Sequence, residues 1–204
     1  TRIDPRNGSV ALRIGTGAEA TDAILTAGEQ VKGETLVEGQ RIKVYLVDVR
    51  RQSRGPQVVI SRTHPGLVKR LFELEVPEIY DGTVEIRSIA REAGSRTKMA
   101  VWSNGACVGP RGQRVNNIVE ELRGEKIDII KYSEDPAEYI AAALAPADVV
   151  EVRMAEDGSK ACRVIVPDDQ LSLAIGKEGQ NARLAARLVG YKIDIKPKSY
   201  KDEE

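Results

Sequence analysis

The chain has 204 residues, and its 31 lysines and arginines balance 31 aspartates and glutamates. A hydrophobic fraction of 41% suffices for folded cores and argues against wholesale disorder. One histidine and two cysteines exclude a multi-histidine metal site, a four-cysteine zinc site and a disulfide framework. No apolar run approaches the roughly 18 residues of a membrane span, and no signal-peptide core opens the chain. We expect a cytoplasmic protein without metal, cofactor or membrane contact, and zero net charge argues at first against a nucleic-acid binder.

The N-terminal segment, residues 1–62, is predicted to be a small β-barrel or a partial barrel. Its apolar patterns are short, glycine-rich turns separate them, and no helical periodicity interrupts them. This pattern is typical of an OB-type barrel, which has five strands. Only four strands are predicted, so we expect the barrel to lack its first strand; they span residues 10–14, 21–25, 41–49 and 57–61.

Two similar units follow, at residues 63–133 and 134–198, ahead of a charged tail at 199–204. Each begins with a helix whose first position is a proline, Pro65 or Pro136. Two strands come next, then a helix, a Gly-x-x-Gly turn, a second helix and a last strand with alternating polarity. The sequence therefore predicts an α+β multidomain protein with two α-β-β-α-α-β units, joined too closely at 133–135 for a flexible linker.

The internal repeat carries the strongest signal. Two pairs of segments match: Val108-Gly109-Pro110-Arg111-Gly112-Gln113-Arg114-Val115 with Ile175-Gly176-Lys177-Glu178-Gly179-Gln180-Asn181-Ala182, and Gly124-Glu125-Lys126-Ile127-Asp128-Ile129 with Gly190-Tyr191-Lys192-Ile193-Asp194-Ile195. A single Gly-x-x-Gly often marks only a turn, but two copies in the same context favour a binding loop. Neither copy has the lysine and hydroxyl residue of a nucleotide-triphosphate loop.

A Gly-x-x-Gly turn between helices suits a phosphate, because it admits another backbone closely and precedes the positive end of a helix. KH domains use such a loop to clamp about four nucleotides. The predicted RNA contacts are Gly109, Pro110, Arg111, Gly112, Gln113 and Arg114 in the first copy, and Gly176, Lys177, Glu178, Gly179, Gln180, Asn181 and Arg183 in the second. Apolar neighbours would floor a groove for bases: Val108, Val115 and Ile118, then Ile175, Ala182 and Ala185.

Local charge qualifies the neutral total. Residues 176–198 hold six basic side chains against Glu178 and Asp194, although such a run is more often just a solvated face. Glu178 is unfavourable beside a phosphate and weakens the expected second site. No catalytic constellation stands out: Cys107 and Cys162 fit small core residues, and His64 fits a helix cap. We therefore expect no enzyme.

Several segments resemble the NusA family of bacterial transcription factors. They are Ile60-Ser61-Arg62-Thr63-His64-Pro65, Glu75-Val76-Pro77-Glu78-Ile79-Tyr80-Asp81-Gly82-Thr83-Val84-Glu85-Ile86, Ile89-Ala90-Arg91-Glu92, Gly105-Ala106-Cys107-Val108-Gly109, Gly124-Glu125-Lys126-Ile127-Asp128-Ile129 and Gln170-Leu171-Ser172-Leu173-Ala174-Ile175-Gly176-Lys177-Glu178-Gly179-Gln180-Asn181-Ala182-Arg183-Leu184-Ala185. The resemblance implies an S1 (OB-fold) domain at 1–62 and two type II KH domains at 63–133 and 134–198.

The resemblance also implies a function: binding of single-stranded nascent RNA by a monomeric elongation factor that modulates RNA polymerase pausing, termination and antitermination. The family's polymerase-binding N-terminal domain is absent from this sequence, and the connection Trp102-Ser103-Asn104-Gly105 is shorter than the family shows. Two other classes stay open. One is the RNA-binding part of an S1/KH ribonuclease, and the other is a protein-interaction scaffold.

Overall fold

The structure is a computed structural model, and it describes residues 2–103 and 113–200. Five strands come first along the chain, and helices and strands are mixed after them, with 3-10 turns between some elements. In chain order they are β1 (Arg2–Ile3), β2 (Val10–Ile14), β3 (Thr21–Leu25), β4 (Tyr45–Gln52), β5 (Gly55–Ser61), α1 (Pro65–Glu75), α2 (Pro77–Tyr80), β6 (Val84–Glu92), β7 (Arg96–Ser103), α3 (Gln113–Glu121), β8 (Lys126–Lys131), α4 (Pro136–Ala143), β9 (Glu151–Met154), β10 (Ala161–Val166), α5 (Leu171–Ile175), α6 (Gln180–Val189) and β11 (Lys192–Pro197).

These elements fall into two compact units. The first contains the chain up to Val76, the turn Glu92–Ser95 and the segment that carries α3. The second contains α2, most of β6 to β8, and everything after β8.

The first unit is built on a five-stranded sheet of order β1-β2-β3-β5-β4. Neighbours are antiparallel except β3 and β5, which pair in parallel through Ala23↔Val58 and Ile24↔Val59. Alternate residues of β2 and β3 are buried, so one face of the sheet packs on a core that includes Leu36 and Ile60. Among the described residues no pairing joins β1 to β4, and the sheet stays open there.

The sheet contains one strand more than the four that the sequence predicts. The additional strand is β1, which has two exposed residues and pairs through Arg2↔Ala11 and Ile3↔Val10. A two-residue strand has no periodicity that a sequence pattern could reveal, because only its pairing partner defines it.

Helix α1 begins where the sequence predicts. The His64 Nδ1 accepts a hydrogen bond from the Gly66 N–H at 2.9 Å, and Pro65 occupies the first turn. His64 is therefore the helix cap that the sequence favours. The buried stripe of α1 consists of Leu67, Val68, Leu71 and Phe72, and the helix packs on α3 within the same unit.

A buried ionic network links the five-stranded sheet to α3. The Arg62 side chain is 1% exposed and pairs with the carboxylates of Glu34 and Glu121. Its guanidinium also donates to the backbone oxygens of Lys43 and Glu121, at 2.6 and 3.0 Å. Because an unpaired buried guanidinium would be costly, this network fixes the C-terminal end of α3 beside the N-terminal strands.

The second unit contains two three-stranded sheets of the same design. In the second copy β10 pairs with β11 in parallel and with β9 antiparallel, in the order β11-β10-β9. In the first copy the order is β6-β7-β8. The α-β-β-α-α-β order predicted for the second copy, residues 134–198, is present as α4-β9-β10-α5-α6-β11. A 3-10 turn, Asp168–Gln170, lies between β10 and α5.

The two copies share one core. The sheet β6-β7-β8 of the first copy, the first KH sheet, contributes Ala90, Ala100 and Ile130 to this core. They are buried in the same cluster as Ile140 of α4 and Leu184 of α6. The Ser88 hydroxyl donates to the Leu188 oxygen at 3.0 Å, which adds a polar contact between β6 and α6. The first sheet therefore packs directly on the helices of the second copy.

Lys98 lies where the sheet β6-β7-β8 packs on the second copy. Its side chain is 0% exposed, and its Nζ pairs with Asp128 at 3.1 Å and donates to the Ala145 oxygen at 2.7 Å. Burial lowers the pKa of the Lys98 ammonium, against the opposing effect of Asp128. In the second copy the equivalent ion pair joins Arg163 to Asp194 at 3.4 Å, and there the side chains are 35% and 50% exposed.

Candidate nucleic-acid interface

The second Gly-x-x-Gly turn has a backbone that requires its two glycines. Gly176 ends α5 with φ 78° and ψ 171°, and Gly179 precedes α6 with φ 73°. Between them Glu178 also has a positive φ, 53°. The Gly179 N–H closes the turn on the Gly176 oxygen at 3.1 Å. As a result α6 starts immediately after the turn and directs the positive end of its dipole towards it.

Close packing adds a second requirement at Gly176. A Cβ at this position would lie 2.8 Å from both the Cβ and the backbone nitrogen of Asn181. At Gly179 the nearest atom to a Cβ would be the Arg183 guanidinium, 3.9 Å away. The turn is thus pressed against the first turn of α6 at Gly176, whereas it is open at Gly179.

Asn181, predicted as an RNA contact, is instead part of the support beneath the turn. It is 1% exposed, and its Nδ2 donates to the backbone oxygens of Leu144 and Ala174, both at 3.0 Å. Its Oδ1 has no hydrogen-bond partner among the described residues. The side chain therefore has no exposed surface to offer RNA, and it fixes α6 against the ends of α4 and α5.

The groove-floor prediction is also corrected at two positions. Ala185 is fully buried in the core, and Ile118 is 1% exposed. Both lie on the helix face that turns inward, so neither side chain offers surface on which a base could rest. By contrast Ile175 is 38% exposed, and Ala182 and Val115 are half-buried. Leu173, which the sequence reasoning missed, is 46% exposed two residues before Ile175.

The charged side chains beside the second turn are exposed. Lys177, Glu178 and Arg183 are all on the surface, and Gln180 is half-buried. The Arg183 Nη1 donates to the Glu178 backbone oxygen at 3.0 Å, which places its guanidinium next to the turn. Two basic side chains and one carboxylate are therefore exposed at or beside the turn: Lys177, Arg183 and Glu178.

The first Gly-x-x-Gly turn lies outside the described residues, as do Val108, Gly109, Pro110, Arg111 and Gly112. So do Cys107 and part of the connection at 102–105. What the structure describes is the helix that follows, α3, where Gln113 and Arg114 are exposed in its first turn.

In residues 2–103 and 113–200 no group of three His, Cys, Asp or Glu side chains could hold a metal ion. Cys162 is buried with a free thiol whose pKa is raised by burial, as suits a core residue. None of the described helices has the length and apolar character needed to cross a bilayer.

Family comparisons agree with this arrangement. A model of the NusA-like first KH domain matches residues 62–132, and a model of the NusA-like second KH domain matches residues 136–203. The second match includes the Gly176–Gly179 turn and α6.

Relatives that carry the name NusA match most of the chain. A transcription termination/antitermination protein NusA from Mycobacterium tuberculosis is 57% identical over 196 residues, which cover 93% of this chain and 56% of the relative. The proteins of that name from Halalkalibacterium halodurans and Bacillus subtilis are 59% and 58% identical, over 89% and 86% of this chain. Both are covered to 49% of their own length, so the chain spans about half of the relatives it matches. With its tandem KH domains and this level of identity, the chain belongs to the NusA family.

Proposed function

We propose that this chain is the RNA-binding part of a transcription termination/antitermination factor, and that its KH loops clamp single-stranded RNA. The observation that carries the proposal is the Gly176–Gly179 turn. Two glycines with positive φ angles shape its backbone, and α6 begins directly after it. The turn lies in the region that matches the NusA-like second KH domain.

In the proposed complex an RNA phosphate lies against the turn, where Gly179 leaves room for it. Lys177 and Arg183 add charge from the exposed side, and Glu178 opposes it. Ile175 and Leu173 present apolar surface beside the turn on which bases can rest. We assign the same role in the first copy to Gly109, Pro110, Arg111 and Gly112, followed by Gln113 and Arg114.

We assign the N-terminal segment to an S1 (OB-fold) domain. The strand order β1-β2-β3-β5-β4, with β3 and β5 parallel, is what supports this assignment. In this proposal RNA polymerase is bound mainly through a domain of the family other than the S1 and KH domains. The proposed protein is a cytoplasmic monomer without catalytic activity.

The test compares Gly179→Asp with a matched control, Gly190→Asp. Gly190 ends α6 with φ 74°, and like Gly179 it has open space around a Cβ position. Both substitutions impose a similar backbone strain, about 1–2 kcal/mol, but only the first puts a carboxylate in the proposed phosphate site. We expect Gly179→Asp to weaken the binding of a labelled single-stranded RNA at least tenfold in a fluorescence anisotropy titration, and Gly190→Asp to bind within about threefold of the parent.

Equal binding by the parent and Gly179→Asp would show that the turn does not clamp RNA. Two further outcomes would replace the proposal with another class. Cleavage of the labelled RNA would indicate a ribonuclease, and binding of RNA polymerase without any RNA binding would indicate a protein-interaction scaffold.

A further inference from the structure

A cluster of one arginine and two aromatic rings lies on the first KH sheet, away from the Gly-x-x-Gly turn of the second copy in sequence. It consists of Arg87 on β6, Trp102 near the end of β7, and Tyr132 just after β8. The Arg87 guanidinium carbon lies over both rings, 5.3 Å from the centroid of Trp102 and 5.5 Å from that of Tyr132. We refer to these three residues as the Arg87 cluster.

The cluster holds an exposed arginine in a fixed orientation. The Arg87 side chain is 42% exposed, and an arginine this exposed normally samples many rotamers. Two rings restrict it, and Tyr132 is itself fixed by an edge contact with Tyr139, with centroids 5.1 Å apart. Tyr139 is buried in the shared core. The orientation of Arg87 is therefore set by the packed interior.

Stacking leaves the edge of the guanidinium available. Aromatic rings interact with its flat faces, whereas its N–H groups point outward in the plane and suit a phosphate. One of these groups contacts the Glu85 carboxylate at 3.1 Å. Glu85 is 47% exposed, so this ion pair contributes little in water and a phosphate can displace it.

We propose that the Arg87 cluster is an additional phosphate-binding site for single-stranded RNA, separate from the Gly-x-x-Gly turns. The inference rests on the proposed function, since it assumes that the chain binds RNA. It adds a contact on the sheet of the first copy, at the end of β7, the strand that leads into residues 104–112. Trp102 and Tyr132 orient the arginine, and Arg87 contacts the RNA.

The chain provides its own reporter and its own control. Trp102 is the one tryptophan of the sequence, so intrinsic tryptophan fluorescence reports on this cluster alone. Arg153 on β9 is also an exposed strand arginine, and it pairs with Glu151 two residues earlier at 3.0 Å, as Arg87 pairs with Glu85. Arg153→Gln therefore removes the same charge as Arg87→Gln, from a similarly exposed arginine that pairs with a glutamate two residues earlier.

The experiment titrates the parent, Arg87→Gln, Arg87→Lys and Arg153→Gln with a labelled single-stranded RNA of roughly 12 nucleotides, about three KH footprints. Anisotropy of the label measures affinity, and tryptophan emission measures occupancy of the cluster. We expect Arg87→Gln to bind about three- to tenfold more weakly, with the slope of log affinity against log salt reduced by about 0.7. Arg87→Lys should recover part of the affinity, and Arg153→Gln should match the parent.

Several outcomes decide between the inferences. If RNA changes Trp102 emission in the parent and in Arg153→Gln but not in Arg87→Gln, the site is supported. If Arg87→Gln binds with unchanged affinity and salt slope, the Arg87 cluster is not an RNA site, while a loss of binding in Gly179→Asp would leave the proposed function standing. If the parent binds no RNA, both fail. Thermal unfolding of each variant separates a folding defect from lost binding, and Arg87→Lys decides the question if Arg87→Gln does not fold.

Discussion

Gly176→Ala tests whether the second turn is held by close packing as well as by its backbone angles. Gly176 has φ 78° and ψ 171°, a region that only glycine occupies readily, so any side chain there costs about 1–3 kcal/mol. The added Cβ would also meet the Cβ and nitrogen of Asn181 at 2.8 Å, where about 3.5–4 Å is normal.

The neighbouring atoms cannot move aside at low cost. Asn181 is 1% exposed and is fixed by its two hydrogen bonds to Leu144 and Ala174. Overpacking of this kind adds about 1–3 kcal/mol, so we expect Gly176→Ala to lower the free energy of unfolding by about 2–6 kcal/mol.

Gly179→Ala is the control, because its φ is also positive but its Cβ has open space. There we expect a loss of about 1–2 kcal/mol from the backbone alone. Urea unfolding followed by circular dichroism measures both values on the whole chain. If the two alanine variants lose the same stability within about 0.5 kcal/mol, the close approach of Gly176 to α6 is refuted.

Three further predictions follow from single contacts. Glu178→Gln should tighten RNA binding about two- to fivefold at low salt, with a smaller gain at higher salt, because it removes a carboxylate beside the proposed phosphate; anisotropy titrations at two salt concentrations measure this. Burial raises the pKa of Tyr139 to about 12, so the folded state holds this proton more tightly than the unfolded state does. The parent should therefore lose about 2 kcal/mol relative to Tyr139→Phe between pH 10 and pH 12, and equal pH profiles in urea unfolding would contradict this. Lys98→Arg should destabilise the chain by about 1–3 kcal/mol, because a larger cation must fit into the fully buried site of the Lys98 side chain. Arg163→Lys, in the exposed equivalent pair, should change stability by less than about 0.5 kcal/mol in the same assay.

The sequence predicted local elements best where one face is buried. Strands at 10–14 and 21–25 are present within the same bounds, because their alternation reflects a sheet with one face on a core. The strand predicted at 41–49 is instead Tyr45–Gln52, and most of its residues are exposed. With no buried face there was no alternation to locate its ends, which depend on pairing with β5.

The sequence predicted the Gly-x-x-Gly turn of the candidate site but not the buried contacts that support this turn. Glycine spacing and the following helix identified Gly176 and Gly179, since those positions need unusual backbone angles. Asn181 was misassigned because polarity next to a loop suggests a ligand contact. Its real partners, the oxygens of Leu144 and Ala174, come from other elements, and no local pattern indicates them.

The second copy and the first sheet converge on two consecutive residues at the end of α4. Asn181, beneath the second turn, binds the Leu144 oxygen, and Lys98 of the first sheet binds the Ala145 oxygen. Carbonyl groups at a helix C-terminus lack intrahelical partners, and both donors bond to such groups. The Leu144 oxygen also accepts a hydrogen bond from the Ala147 N–H at 3.1 Å. The same helix end therefore positions the second Gly-x-x-Gly turn and anchors the first KH sheet. A change that displaces it should weaken RNA binding at the second turn even though neither Leu144 nor Ala145 contacts RNA in the proposed complex.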